Sequence, residues 1–202
     1  PFWGDDYIFL YGAREANITG QPWWSAFWPE NPGLFWRPLS QESWWRVVDI
    51  WFGADAQSTH IANLGLLALA SCCVGILTWT IARSCGWPQL AGISVLSGVI
   101  YGTLALHLLP VHWAAAANNS ILVIFTTLIL SAWIAAPRSK ALPRAILLSA
   151  IPLLLIAALL CKESAVLTPL LMIIMALFVR NGSFRLAELA IWIACTCLVG
   201  VW

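Results

Sequence analysis

The chain is short of charge. Only 9% of its 202 residues are Asp, Glu, Lys or Arg, against roughly 25% in water-soluble domains. With 61% hydrophobic residues and a mean hydropathy of +0.83, a soluble single domain is excluded. That much apolar surface calls for lipid rather than a larger core. An excess of one sign is also missing: the net charge is +1, which leaves no basic footprint for nucleic acid. The six cysteines show no zinc-ligand spacing. Five lie in or beside apolar segments and Cys85 falls in a short loop, so buried, inert thiols are expected. The chain opens on Pro1 rather than Met, and Trp202 falls inside an apolar run. The expected reading is a piece of a longer chain, with a span before Pro1 and more after Trp202.

Trp is abundant, with 14 residues, and the indole ring suits headgroup depth. Residues 1–60 hold much of it, together with Pro, Gly and most of the acids, and contain no span-length apolar run. Two short amphipathic helices are predicted there, over about 6–15 and 40–52. In the second, Trp44, Trp45, Val48 and Trp51 recur at helical spacing. They build an aromatic face expected to lie in the membrane interface. From Ile61 onward six apolar runs follow, approximately 61–82, 89–109, 113–136, 143–161, 164–179 and 186–202. Each reads as a transmembrane helix, with kinks expected at Pro152 and Pro169. The fold class is thus an all-α polytopic membrane bundle behind an outer loop with two juxtamembrane helices.

The loops beginning at Arg83, Pro137 and Arg180 carry Arg83, Arg138, Lys140, Arg144, Arg180 and Arg185 and no acid. The positive-inside rule places them in the cytoplasm. Residues 1–60 and the turns around Pro110 and Lys162 then face outward. His60, His107 and His112 all fall at outer ends, Lys162-Glu163 forms an outer turn, and Asn63, Asn118 and Asn119 lie just inside. A polar basin at the outer leaflet is the simplest picture, and such clustering beside a membrane points to function. Each group also has a plainer reading. Asp5 and Asp6 cap a helix. Lys162-Glu163 makes a weak surface pair. The histidines snorkel at the interface, and the Asn pair bridges helices. Arg14 and Arg46 lie on solvated faces, and the Trp cluster forms an anchoring belt. The sequons at Asn17 and Asn181 are weak.

Taken in order, these residues resemble the N-terminal half of a polytopic glycosyltransferase of the GT-C fold, in the protein O-mannosyltransferase and aminoarabinose-transferase group. The acidic pair that follows the first span in that group is Asp5-Asp6 here, and Arg14-Glu15 and Gly20-Gln21-Pro22-Trp23 fit the course of the loop after it. A Tyr-Arg-Pro-Leu-like motif is Trp36-Arg37-Pro38-Leu39, and a His-x-x-Asn is His60-Ile61-Ala62-Asn63. A His-Pro-x-His-like turn spans His107, Pro110 and His112, followed by Asn118-Asn119 and by the Lys-Glu turn Lys162-Glu163. The chain departs from the pattern in the wider His107–Pro110 spacing and in Asn118-Asn119, which replaces a Gly-Arg-like ending.

The resemblance implies transfer of a sugar from a polyprenyl-phosphate donor to a glycan, lipid or protein acceptor at the extracytoplasmic face. The membrane is expected to be a bacterial inner membrane, with the site facing the periplasm. It implies Asp5 as the base that takes the acceptor hydroxyl proton, with Asp6 orienting it. Arg37, His112 and Lys162 are the candidates for the leaving phosphate, and Glu163, His60 and Asn119 join them as substrate-binding residues. Direct attack would invert the anomeric centre. No cofactor is demanded, and a divalent ion, Mg2+ or Mn2+ held by Asp5 and Asp6, stays open. Two other classes stay open as well. One is a non-catalytic membrane subunit that docks a partner through its Trp-rich outer segment. The other is a proton-relaying transporter, disfavoured because the ionisable groups stay at one face and no inverted repeat is visible.

Overall fold

The computed structural model describes residues 1–28, 36–104, 112–180 and 185–201, without the side chain of Arg180. His107, Pro110 and the Asn181 sequon lie outside the described residues. All regular elements among the described residues are helical. Helix α1 spans Asp5–Ile18 and is followed by a 3-10 turn, Trp23–Phe27. A π-helical turn, Pro38–Ser43, leads directly into α2, Trp44–Phe52. Two short helices were expected here, over about 6–15 and 40–52: α1 runs a few residues further, and α2 starts later, with the π-helical turn covering the first part of the second expected stretch.

Helix α3 covers Ala56–Cys85, about 45 Å at 1.5 Å per residue. The Asp55 carboxylate starts it by accepting from the Gln57 and Ser58 N–H groups, and Gly86 stops it in the left-handed region at φ 68°. Then come α4, Leu90–Thr103, and α5, Ala117–Ala135, which is flanked by 3-10 turns at Ala114–Ala116 and Ala136–Arg138. Last are α6, Ala141–Leu159, α7, Thr168–Arg180, and α8, Leu186–Val201.

Six transmembrane helices were expected. Among the described residues three helical stretches are long and apolar enough to cross a membrane: Ala56–Cys85, Ala114–Arg138 and Ala141–Leu159. Three others are apolar but shorter, Leu90–Thr103, Glu163–Val179 and Leu186–Val201. The 14 residues of α4 reach about 21 Å, short of the roughly 30 Å hydrocarbon core. Pro169 does not kink a continuous helix. A 3-10 turn over Glu163–Leu167 precedes α7, and Pro169 falls in the first turn of that helix, where a missing N–H costs nothing. Pro152 does lie inside α6.

One core joins α5, α6, α7 and α8 around Trp133, Ile151, Leu155 and Met172, and the Trp133 indole donates to the Met172 carbonyl at 2.9 Å. At one end of this bundle Arg138 donates to the Ser84 carbonyl at 3.0 Å, and Arg144 pairs with the fully buried Glu188 at 3.8 Å. Ser84, Arg138 and Arg144 come from the loops expected on the basic side, while Glu188 lies in the first turn of α8. A second core joins α1, α2 and the start of α5 at the opposite end, through Phe2, Leu10, Trp45, Val48 and Ala115. The aromatic face of α2 is therefore not presented to lipid as a whole. Trp45 and Val48 are buried against α1, while Trp51 is exposed.

Helices α3 and α4 meet through small residues four apart, Ser71 and Gly75 on one, Ser94, Gly98 and Gly102 on the other. A methyl group on Gly98 would stand 2.8 Å from the Ser71 carbonyl oxygen, and one on Gly102 2.6 Å from the Ser71 hydroxyl. The backbones approach that closely only because no Cβ intervenes. Beside this contact runs a cavity of about 900 Å³. Its walls include Leu64, Leu67, Ile76, Trp79, Val95 and Val99, and the Ser71, Ser94 and Thr103 hydroxyls in them donate to carbonyls of their own helices. Gly98→Val forces the two helices apart. It is expected to destabilise the chain by about 1–3 kcal/mol, read by reversible unfolding in mixed micelles, whereas Gly92→Val, with open space around Gly92, is expected to be near neutral.

Candidate functional site

The acidic pair divides into two different groups. Gly4, at φ 42°, turns the chain into α1, a conformation that favours glycine. The Asp6 carboxylate then folds back to accept the Trp3 N–H at 2.9 Å. The same carboxylate accepts the Ala115 N–H at 2.7 Å and the Ala114 N–H at 3.3 Å. Asp6 is fully buried. It caps, from a distant part of the sequence, the 3-10 turn that opens α5, where a negative charge meets the positive end of the helix dipole. Asn63 on α3 completes the joint by donating to the Ala114 carbonyl at 3.0 Å. Asp5, one residue earlier, is exposed and has no hydrogen-bond or ionic partner among the described residues. His60 lies beside this joint, with Nε2 at 3.3 Å from the Pro1 carbonyl and its ring 6.4 Å from that of Phe2. His112 is exposed two residues before Ala114.

A second joint forms where the segment leading into α2 meets the turn after α6. The Arg37 guanidinium grips Glu163 with Nε at 2.9 and 3.2 Å from the two carboxylate oxygens and Nη2 at 2.8 Å. Next to it the Leu39 N–H donates to the Leu160 carbonyl at 3.1 Å, and the Ser40 hydroxyl donates to the Cys161 carbonyl at 2.6 Å. Lys162 donates to the side-chain oxygen of Asn119 on α5. The Arg37 hydrogen bonds hold the Glu163 carboxyl below its ordinary range. Burial, and then Arg37, push the Lys162 ammonium down, partly offset by Glu163. Burial pushes the Cys161 thiol up to about 12, as an inert cysteine requires.

The start of α5 therefore carries both joints. Ala115, held by Asp6, and Asn119, held by Lys162, are one helical turn apart, about 6 Å along the axis. Arg37, Lys162 and Glu163 come together directly, and Asp6 and Asn119 connect to them through this helix end. No direct contact joins Asp5, His60 or His112 to the Lys162 cluster among the described residues. A divalent ion fits this donor set poorly. Both Asp6 oxygens already accept N–H groups, and no cluster of three or more His, Cys, Asp or Glu suited to a metal occurs among the described residues.

Arg46 and Arg14 are not both solvated. Arg46 is 2% exposed. Its guanidinium donates to the Gln21 and Pro22 carbonyls at 3.1 Å and to the Ser25 hydroxyl at 3.0 Å, and stands 5.7 Å from the centre of the Trp23 ring. Asn17 and Arg14 on α1 both reach Asp49 on α2, at 2.9 and 3.6 Å. The i, i+3 spacing of Arg46 and Asp49 marks the polar side of α2, but not which loop it would meet. No protein-family model, curated protein or solved structure matches this chain. Fold and site together describe an all-helical chain of membrane type with a polar, ion-paired end.

Asp6→Asn replaces one acceptor oxygen with an NH2 group facing N–H donors. It is expected to cost about 1.5–3 kcal/mol and to speed hydrogen exchange at Ala114 and Ala115. The Arg37–Glu163 pair sets a pH limit. The Glu163 pKa is depressed in the folded chain, so its contribution is full above the unfolded value near ~4.3 and is lost as pH falls through the folded value. The protection of the Leu39 amide, its exchange rate relative to an unstructured amide at the same pH, is expected to fall as the pH drops through the depressed Glu163 value, and Glu163→Gln to show the reduced protection already at pH 7.

Proposed function

We propose that this chain is part of a membrane glycosyltransferase that moves a sugar from a polyprenyl-phosphate donor onto an acceptor hydroxyl at the outer membrane face. The observation that carries the reading is the helix end shared by an acid and a cation cluster. An exposed carboxylate, Asp5, is held beside the start of α5 by its buried neighbour Asp6, and Lys162, next to the Arg37–Glu163 pair, is held one turn further on. Sugar transfer from a lipid phosphate needs those two functions at headgroup depth.

In the proposed reaction Asp5 accepts the proton of the acceptor hydroxyl as its oxygen attacks the anomeric carbon. The bond from that carbon to the phosphate oxygen breaks, its electron pair stays on the phosphate, and the configuration inverts. Lys162 and Arg37 stabilise the phosphate charge as it develops. Glu163 keeps the guanidinium oriented and leaves the trio with a net charge of plus one. The apolar cavity between α3 and α4 is chemically suited to a hydrocarbon tail, since its hydroxyls are already satisfied. Asp6 acts only by position, and no step is routed through a metal.

With the chain in its native membrane and a polyprenyl-phosphate sugar as donor, Asp5→Asn is expected to lower transfer by about 10²–10⁴-fold with donor binding and unfolding unchanged. Lys162→Gln is expected to weaken donor binding as well. Full transfer by Asp5→Asn would remove the base, and equal donor binding by Lys162→Gln would remove the phosphate site.

A further inference from the structure

The kind of apolar side chain left uncovered changes abruptly at Asp55. Among the described residues, ten large apolar side chains are exposed within residues 1–55, and seven of these are Trp or Tyr. Of the twenty-five exposed beyond it, twenty-two are Ile, Leu or Val. Aliphatic side chains are at home in hydrocarbon, whereas Trp and Tyr, with an apolar ring and a polar N–H or O–H, are enriched at headgroup depth. The change falls within a few residues of chain: Ile50 and Trp51 at the end of α2 and Ile61 and Leu64 at the start of α3 are all exposed. We infer that the outer segment is a rigid collar whose Trp3, Tyr7, Tyr11, Trp24, Trp28 and Trp51 lie in the lipid headgroup layer, with Arg46 as the pin that holds the Trp24–Trp28 part of it in place.

The expectation from the sequence put the aromatic face of α2 in this role. The structure turns Trp45 of that face inward and leaves the work to the outer side of α1 and to the 3-10 turn. On α1, Tyr7 and Tyr11 stand four residues apart on one face, and Trp3, exposed just before the helix, adds a third ring at its start. In the turn, Trp24 is 73% and Trp28 87% exposed, yet the loop is not loose. One buried guanidinium binds it at Gln21, Pro22 and Ser25 and stacks on Trp23. A cation buried to that extent is unfavourable unless well satisfied, and here it is spent on fixing the direction in which two exposed indoles point. Headgroups are the matching partner, because they take the ring against acyl carbon and the N–H against phosphate or glycerol oxygen.

The test uses the full chain labelled with 5-fluorotryptophan in phosphatidylcholine nanodiscs, with Trp24→Phe, Trp28→Phe and Trp87→Phe assigning their fluorine resonances. A gadolinium chelate on a lipid headgroup is expected to broaden the Trp24 and Trp28 signals several-fold more than an equal amount of soluble chelate does, with Trp87, exposed in the turn between α3 and α4, as the reference signal outside the collar. Broadening by the soluble chelate alone would show a face in water. Broadening by neither would show a face covered by protein. Either result overturns the collar, and neither touches the sugar-transfer reading, since no activity is measured. Arg46→Gln is expected to reduce the broadening of Trp24 and Trp28 by half or more while leaving Trp87 unchanged. Unaltered broadening in that variant removes Arg46 as the pin.

Discussion

A single buried carboxylate holds the architecture of the polar end together. Asp6 sits at the beginning of the chain, but three N–H groups share its charge, and two of them belong to the lead-in of α5 more than a hundred residues away. A buried anion without partners would be strongly unfavourable. Any arrangement in which α1 leaves the start of α5 is therefore penalised twice, by the bare carboxylate and by the uncapped helix. Phe2, Leu10 and Trp45 pack around this contact, so the hydrophobic term and the electrostatic term favour the same geometry.

The second joint works by the same logic with charges of both signs. Arg37 and Glu163 meet through a bidentate pair, which is stiffer and more directional than a single bond. Glu163 remains partly accessible, so this pair contributes orientation more than stability. The neighbouring backbone bond from Leu39 to Leu160 extends the contact into a short docked segment. With both joints resting on the first turn of α5, that helix end becomes the reference against which the exposed Asp5 and the Lys162 cluster keep their relative positions.

The opposite end is built more simply. Arg138 reaches the end of α3, and Arg144 reaches Glu188 on α8. Here the basic residues serve as clamps between helices as well as a charge signal. The closeness of α3 and α4 depends on glycine and serine rather than on charge. A helix as short as α4 keeps its place against α3 because the backbones meet over Gly98 and the Ser71 side chain seats against Gly102.

Much of this was legible in the sequence, because hydropathy and spacing are local properties. The apolar runs announced helices, the scarcity of charge announced lipid, and the change of composition near residue 60 set a segment with two short helices apart from the bundle, although α3 already begins at Ala56. The alternation of apolar runs also put Arg37, Lys162, Glu163 and Asn119 at one polar end, the first in the segment before the bundle, the Lys-Glu pair at a turn, and Asn119 just inside a helix. Partnership was not legible. Nothing local says that Asp6 would be consumed by Ala114 and Ala115 while Asp5 stays free, that Arg46 would be buried against Gln21 and Ser25, or that Trp45 would turn inward and Trp28 outward. Those outcomes depend on which surfaces meet once α1 folds over α2 and α5, and a hydrogen bond between residues far apart in sequence is selected only when packing brings donor and acceptor within 3 Å or so.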